Sequence, residues 1–215
     1  MNRHAPGPLE TILIPVKRLD TAKLRLSEKL FPADRRRLGL AMLADVLRAT
    51  EKWQSRFIVT ADPDAEAVGL AFGCSLVADR GSGLNPALEA GTEAALQRGT
   101  MSLLILPSDV PMVSADDVTS LFAFPEQVVI APAQDGGTNA LMRRPPAAIG
   151  LRFGRDSAEK HRLAAEEAGL SCRTVELSSL LLDIDRYADL VQLGGLPNPR
   201  DSVRLARELV RSYRP

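Results

Sequence analysis

Three aspartates have the type and spacing to do chemistry in this chain. Asp109 follows the apolar run of SLLILPSDVP, which delivers a carboxylate to the end of a buried strand, with prolines on either side to fix the turn. Asp183 and Asp185 stand two residues apart in LLLDIDRYADL, a spacing that puts both on one face of a strand. One carboxylate at each of two strand ends can hold a single hard cation such as Mg²⁺ against phosphate oxygens. Plain helix or turn caps are the alternative reading of all three.

Groups that suit anions lie elsewhere in the sequence. PVKRLDTAKLRL crowds Lys17, Arg18, Lys23 and Arg25 behind a first apolar run, where they could neutralise a triphosphate or form a solvated basic loop. The segment is neither a Walker A loop nor a GxGxxG fingerprint. In DRGSGLNPAL, two glycines and Asn85 precede a helix. Asn85 offers a donor and an acceptor to a purine or ribose, or simply caps the helix before Pro86. QDGGTNAL places the Thr138 hydroxyl beside paired glycines whose amides can approach a ligand. FGRDSAEKH sets Gly154 ahead of Ser157 at a helix start, where free amides and a hydroxyl suit phosphate or carboxylate. Ser157 alone reads equally as an N-cap. His161, four residues on and on the same face, reads as a satisfied surface or core histidine rather than a general base.

Positioning these groups requires a particular frame, and the hydrophobic pattern supplies one. Strand-like runs at Thr11–Val16, Phe57–Ala61, Ser75–Asp79, Ser102–Pro107, Gln127–Ala133 and Ala140–Arg144, with an edge strand at Ser171–Leu177, alternate with helical segments. Asp34 is expected to cap a helix over Arg35–Thr50, Asp62 one that runs to Gly73, and Ser114 one that ends at Phe124. Further helices are expected over Pro86–Arg98, Ser157–Ala168 and Tyr187–Leu193, with a separate C-terminal helix over Asp201–Tyr213. Repeated βα units with short loops imply an α/β domain with a mostly parallel central sheet and helices on both faces. Ligands in such sheets bind beyond the carboxyl ends of the strands, where the loops above should lie. The expected organisation is an N-terminal extension over residues 1–10, one domain over 11–195 and a C-terminal helical extension over 196–215.

Composition narrows the class. The chain has 215 residues, 45% apolar and 25% charged, enough to bury a full core. Lys+Arg and Asp+Glu both total 27, and this zero balance argues against nucleic acid as a partner. No run approaches the ~18 apolar residues of a spanning helix and no signal peptide is legible, so no membrane association is expected. Cys74 and Cys172 lack a CxxC or Cys/His partner and read as small buried residues in a reducing cytoplasm.

Taken in order, PVKRLDTAKLRL, GLNPAL, PSDVP, GGTNAL, FGRDSAEKH and LDIDRYADL resemble the CofC/FbiD family of guanylyltransferases, which make the precursor of the deazaflavin coenzyme F-420. The resemblance covers roughly residues 11–193; its one small departure is PSDVP where PxDLP is common. It implies a single-domain GT-A-like nucleotidyltransferase fold. It also implies transfer of GMP from GTP to the phosphate of a small phospho-carboxylic acid, with loss of pyrophosphate. Phosphoenolpyruvate is the first choice of acceptor, with 2-phospho-L-lactate and 3-phospho-D-glycerate behind it. By motif, Asp109 and Lys23 would be catalytic, and Lys17, Lys23 and Asn85 would meet GTP. Thr138, Gly154 and Ser157 would hold the phospho-acid, and Asp109, Asp185 and Asp183 would hold Mg²⁺. The alternatives are a nucleotidyltransferase for a sugar phosphate or cobinamide phosphate, and a non-catalytic nucleotide-binding protein. A homodimer is the expected assembly.

Overall fold

Apolar runs buried on both faces make the central strands, and the first four strands are each followed by a helix with its apolar side on the sheet. The computed structural model describes residues 9–213; of the N-terminal extension expected over residues 1–10, all but Leu9 and Glu10 lies outside them. The elements in chain order are β1 (Glu10–Val16), α1 (Pro32–Ala49), β2 (Ser55–Thr60), α2 (Pro63–Ala71), β3 (Ser75–Ala78), α3 (Leu84–Gln97), β4 (Ser102–Ile105) and α4 (Ala115–Ala123). There follow β5 (Val128–Pro132), β6 (Thr138–Arg143), α5 (Ser157–Glu167), β7 (Cys172–Thr174), α6 (Ser178–Leu181), α7 (Tyr187–Gly195) and α8 (Asp201–Ser212). A short 3-10 turn covers Leu24–Leu26.

The strands form one seven-stranded sheet in the order β3-β2-β1-β4-β6-β5-β7. The sheet is mostly parallel, as expected, with β6 alone running antiparallel to both its neighbours. Alternation along the strands sorts their side chains onto two faces. Ile12, Ile14, Leu104 and Leu106 pack with α1 and α4 residues such as Leu43, Val46, Val118 and Leu121. Leu13, Leu103 and Ile105 pack on the other side with Leu88 of α3 and Ala165 of α5. Gly91 of α3 lets that helix lie directly on the sheet, since a Cβ there would stand 2.5 Å from Leu13 and 2.9 Å from Val59.

Helix starts follow local chemistry. Asp62 accepts from the amides of Asp64 and Ala65, and Ser114 forms a reciprocal capping box with Asp117. The start of α1 differs from expectation: Phe31 occupies the cap and Pro32 opens the helix, its ring pre-setting the backbone torsion. Asp34 instead binds Arg37 and the Tyr213 hydroxyl. The C-terminal helix also departs from the separate element expected. Val203, Ala206 and Leu209 of α8 bury themselves in a third apolar cluster with α1, α7 and the segments around Leu26 and Ile184.

Candidate active site

The order of the sheet reverses between β1 and β4, which lie side by side although β2 and β3 separate them in sequence. A crevice opens at such a switch point beyond the strand ends. The loop after β1 and the turn after β4 therefore meet, and because β6 runs backwards its first residues, Thr138 and Asn139, reach the same edge. These loops line a cavity of about 280 Å³ that includes Lys17, Lys23, Asp109, Thr138, Ser157 and Asp185.

Lys23 is the hub of the charged side. Its ammonium donates to Asp109 Oδ2 at 2.6 Å and to Asp185 Oδ1 at 2.8 Å. A left-handed backbone at Lys23, φ 55°, turns it inward, a torsion uncommon for a residue with a Cβ. Burial works against the Lys23 charge, but the two carboxylates more than offset it and its pKa rises. Burial likewise favours the neutral form of Asp185, yet Lys23, Arg25 and Lys17 hold its carboxyl below the usual range. Lys17 is exposed at the rim.

Asp109 sits in a turn beyond the end of β4 rather than on the strand, and the run through Asp183 and Asp185 is extended chain outside the sheet. A single bond, from the Ile184 amide to the Asp109 carbonyl at 3.2 Å, joins the two segments. Asp183 does not join the carboxylate pair. Its partner is the Asn139 amide, at 3.5 Å, and burial together with the charge of Asp109 raises its pKa. Among the described residues no group of three or more acidic, histidine or cysteine side chains already converges as a metal cage would. The convergent pair is Asp109 and Asp185.

The opposite wall presents hydroxyl groups, with Asp135 in the loop beside them. Thr138 Oγ1 lies 2.9 Å from Ser157 Oγ and 3.2 Å from His161 Nδ1, while His161 Nε2 accepts the Arg152 amide at 2.9 Å. All three side chains are buried, His161 fully. Burial, with the charges of Arg143 and Arg152, pushes the imidazole down to about 4, so the ring is neutral at pH 7. The phenyl ring of Phe153 packs edge-on against it, which brings Gly154 and Ser157 to the cavity.

In the two loops expected to offer free amides, four amides already have acceptors. The amides of Gly136 and Gly137 donate to Ala133 O and Asp135 Oδ1, and those of Ser157 and Ala158 to Gly154 O and Gly136 O. Asn85 is likewise committed. It donates to Phe153 O at 3.1 Å and accepts the Phe153 amide at 2.8 Å, and so braces that loop. Conversely, Arg35 was overlooked. It lines the cavity from α1, is 7% exposed, and leaves its Nε without a partner among the described residues. The signal was present: Arg35 shares its helical face with Leu38 and Met42, an odd place for a cation.

The chain matches the family model described as "Guanylyl transferase CofC like" over residues 10–198. It is 40% identical over 203 residues to the phosphoenolpyruvate guanylyltransferase of Roseiflexus castenholzii, covering 92% of this chain and 94% of that one. It is 36% identical over 209 residues to the 2-phospho-L-lactate guanylyltransferase of Methanothermobacter thermautotrophicus, covering 94% and 93%. Among solved structures, a Desulfovibrio desulfuricans G20 protein named as a nucleotide-diphospho-sugar transferase superposes with a TM-score of 0.80 at 21% identity. It covers 96% of this chain and 98% of its own, and so shares the nucleotidyltransferase fold.

Proposed function

The chain belongs to the family of CofC-like guanylyl transferases, and from that premise we propose that it moves GMP from GTP to the phosphate of a small phospho-carboxylic acid, phosphoenolpyruvate first, releasing pyrophosphate. The observation that carries this reading is one cavity with two unlike walls. Cations and paired carboxylates line one side, and a buried pair of hydroxyls lies on the other.

In the proposed step an oxygen of the acceptor phosphate attacks the α-phosphorus of GTP and a new P–O–P bond forms. The bond from the α-phosphorus to its bridging oxygen breaks, and pyrophosphate leaves with the electron pair. An acceptor phosphate is already ionised at neutral pH, so no general base is needed, in keeping with a histidine that is neutral and turned to other partners. Lys17, Lys23 and Arg35 would screen the phosphates while Thr138, Gly154 and Ser157 hold the acceptor in line.

Mg²⁺ fits the acidic pair. Two carboxylate oxygens already converge on one ammonium, and such oxygens are the donors a hard cation takes. Asp109 and Asp185 would hold it. When bound it supplies neutralisation of the charge on the transferring phosphates. Phosphoenolpyruvate ranks first because it is named for the 40% identical relative, against 36% for the relative named for 2-phospho-L-lactate. No helix among the described residues is long and apolar enough to cross a membrane, and we assign the reaction to coenzyme F-420 biosynthesis in the cytoplasm.

The test is pyrophosphate release from GTP with Mg²⁺, offering phosphoenolpyruvate, 2-phospho-L-lactate and 3-phospho-D-glycerate in turn. Phosphoenolpyruvate should be fastest, and Asp109→Asn or Asp185→Asn should slow it by about 10²–10³ without unfolding the protein. Silence with every acceptor would refute the guanylyl-transfer reading. Near-normal rates in both variants would refute the carboxylate assignment.

A further inference from the structure

We propose that His161 is a positioning residue that sets the direction of the Thr138–Ser157 hydroxyl chain, so that Ser157 presents its hydrogen to an anionic oxygen of the bound acceptor. That the anion belongs to a phospho-acid rests on the function proposed above; the direction of the chain does not.

The case is one of donors and acceptors. A backbone amide can only donate, so His161 Nε2, 2.9 Å from the Arg152 amide, must accept. A neutral imidazole carries one N–H, which therefore sits on Nδ1 and donates to Thr138 Oγ1. Thr138 is 6% exposed, and its own hydrogen has Ser157 Oγ as the one remaining acceptor among the described residues. Ser157 Oγ is thereby the receiver in that pair. Its hydrogen has no acceptor among the described residues, and the hydroxyl lines the cavity. The amides of Ser157 and Ala158 already donate within the fold, whereas this hydroxyl is a donor that the start of α5 holds towards the cavity.

The opposite tautomer would reverse every link. Nε2–H would confront the Arg152 N–H, Nδ1 would accept from Thr138, and Ser157 would donate to Thr138. Lone pairs would then face the acceptor. A buried donor aimed in advance at an anion needs no reorganisation when the ligand arrives, whereas an acceptor aimed at it repels. The edge-on Phe153 ring, with its centroid 5.0 Å from that of the imidazole, helps hold the plane in which both nitrogens reach their partners.

Two substitutions separate the two nitrogens. Asn at 161 can keep a donor where Nδ1–H was, and Gln can keep an acceptor where Nε2 was. His161→Gln should raise KM for phosphoenolpyruvate by about tenfold or more while KM for GTP stays within about twofold. His161→Asn should restore most of that loss, whatever its thermal midpoint. Equal losses in the two variants, following their stability, would overturn the proposal, as would an unchanged phosphoenolpyruvate KM in His161→Gln. Independently of any substrate, long-range ¹H–¹⁵N spectra of the free wild-type protein should place the His161 proton on Nδ1. The only other histidine, His4, is identified by the signal that remains in His161→Gln. A proton on Nε2 would overturn the proposal even if the enzyme is fully active. The expected tautomer in a protein silent with every phospho-acid would instead locate the failure in the functional reading.

Discussion

Lys23, partly buried, and His161, fully buried, are two bases held in opposite charge states by what surrounds each. Lys23 meets two carboxylates and keeps its proton; His161 meets a hydroxyl, an amide and two arginine charges and gives its proton up. The consequences for stability have opposite signs. The raised Lys23 pKa adds stability that is present at all neutral pH values and fades only as pH climbs through that raised value. The His161 value of about 4 lies below the ordinary 6.5, so between these the unfolded chain binds a proton that the folded chain refuses. Stability should therefore fall as pH drops from about 6.5 towards 4, by about 2–3 kcal/mol from this group. Denaturant titrations at pH 7 and pH 4.5 check this: wild type should lose that increment and His161→Gln should lack it. Equal acid sensitivity in the two proteins would show that the ring is not the source.

At the scale of elements, the active edge depends on how the loop after β1 is tied down. Leu19 donates its amide to Asp62 Oδ2 at 2.9 Å, and its side chain lies over Gly39 of α1, where a Cβ would come within 2.7 Å. Asp62 also caps α2 and pairs with Arg36 of α1. Burial opposes its charge, but the Leu19 and Ala65 amides and Arg36 hold its pKa below the usual range. One carboxylate thus joins two helices to the loop that carries Lys17 and Lys23. Asp62→Ala should lower stability by about 1–2 kcal/mol through the lost cap. It should also raise KM for GTP more than KM for the acceptor, because only the cation loop is loosened. Asp62→Asn, which keeps an acceptor, should recover part of both effects. Parallel steady-state measurements decide the matter, and an acceptor KM that moves as far as that for GTP would count against the loop argument.

For the whole molecule, the informative feature is the third apolar cluster. It gathers Leu26 and Leu30 from the cation loop, Leu182 and Ile184 from the acid segment, and Val203, Ala206 and Leu209 from α8. Polar ties reinforce the docking of α8: the Ser202 amide donates to Asp45, and Arg200 donates to the Pro111 carbonyl just past Asp109. The C-terminal helix thus braces both charged segments of the cavity from behind. Leu209→Ala, at a side chain 2% exposed, should cost about 2–4 kcal/mol from lost burial and the space left behind. Amide exchange should accelerate at Ile184 and around Leu26 before it does in β1 or β4. Uniform exchange across the molecule would contradict a bracing role.

The sequence by itself was sufficient for the α/β class and most element positions, and it singled out Lys23, Asp109, Asp185, Thr138 and Ser157, which the fold gathers around one cavity. Apolar periodicity, capping residues and motif order are local properties, written within a few residues of where they act. It could not show what Asn85 and the loop amides bond to, because whether a donor is spoken for depends on partners far along the chain, such as Phe153. It passed over Arg35 and gave His161 only its plain structural part for the same reason. Tertiary structure alone decided that Asp109 and Asp185 share one ammonium while Asp183 stands aside. It also decided that α8 belongs to the core behind them. The three aspartates that suggested a metal site are chemically alike in sequence. Only their placement around Lys23, set by strand order and the docking of α8, separates the pair that converges from the one that does not.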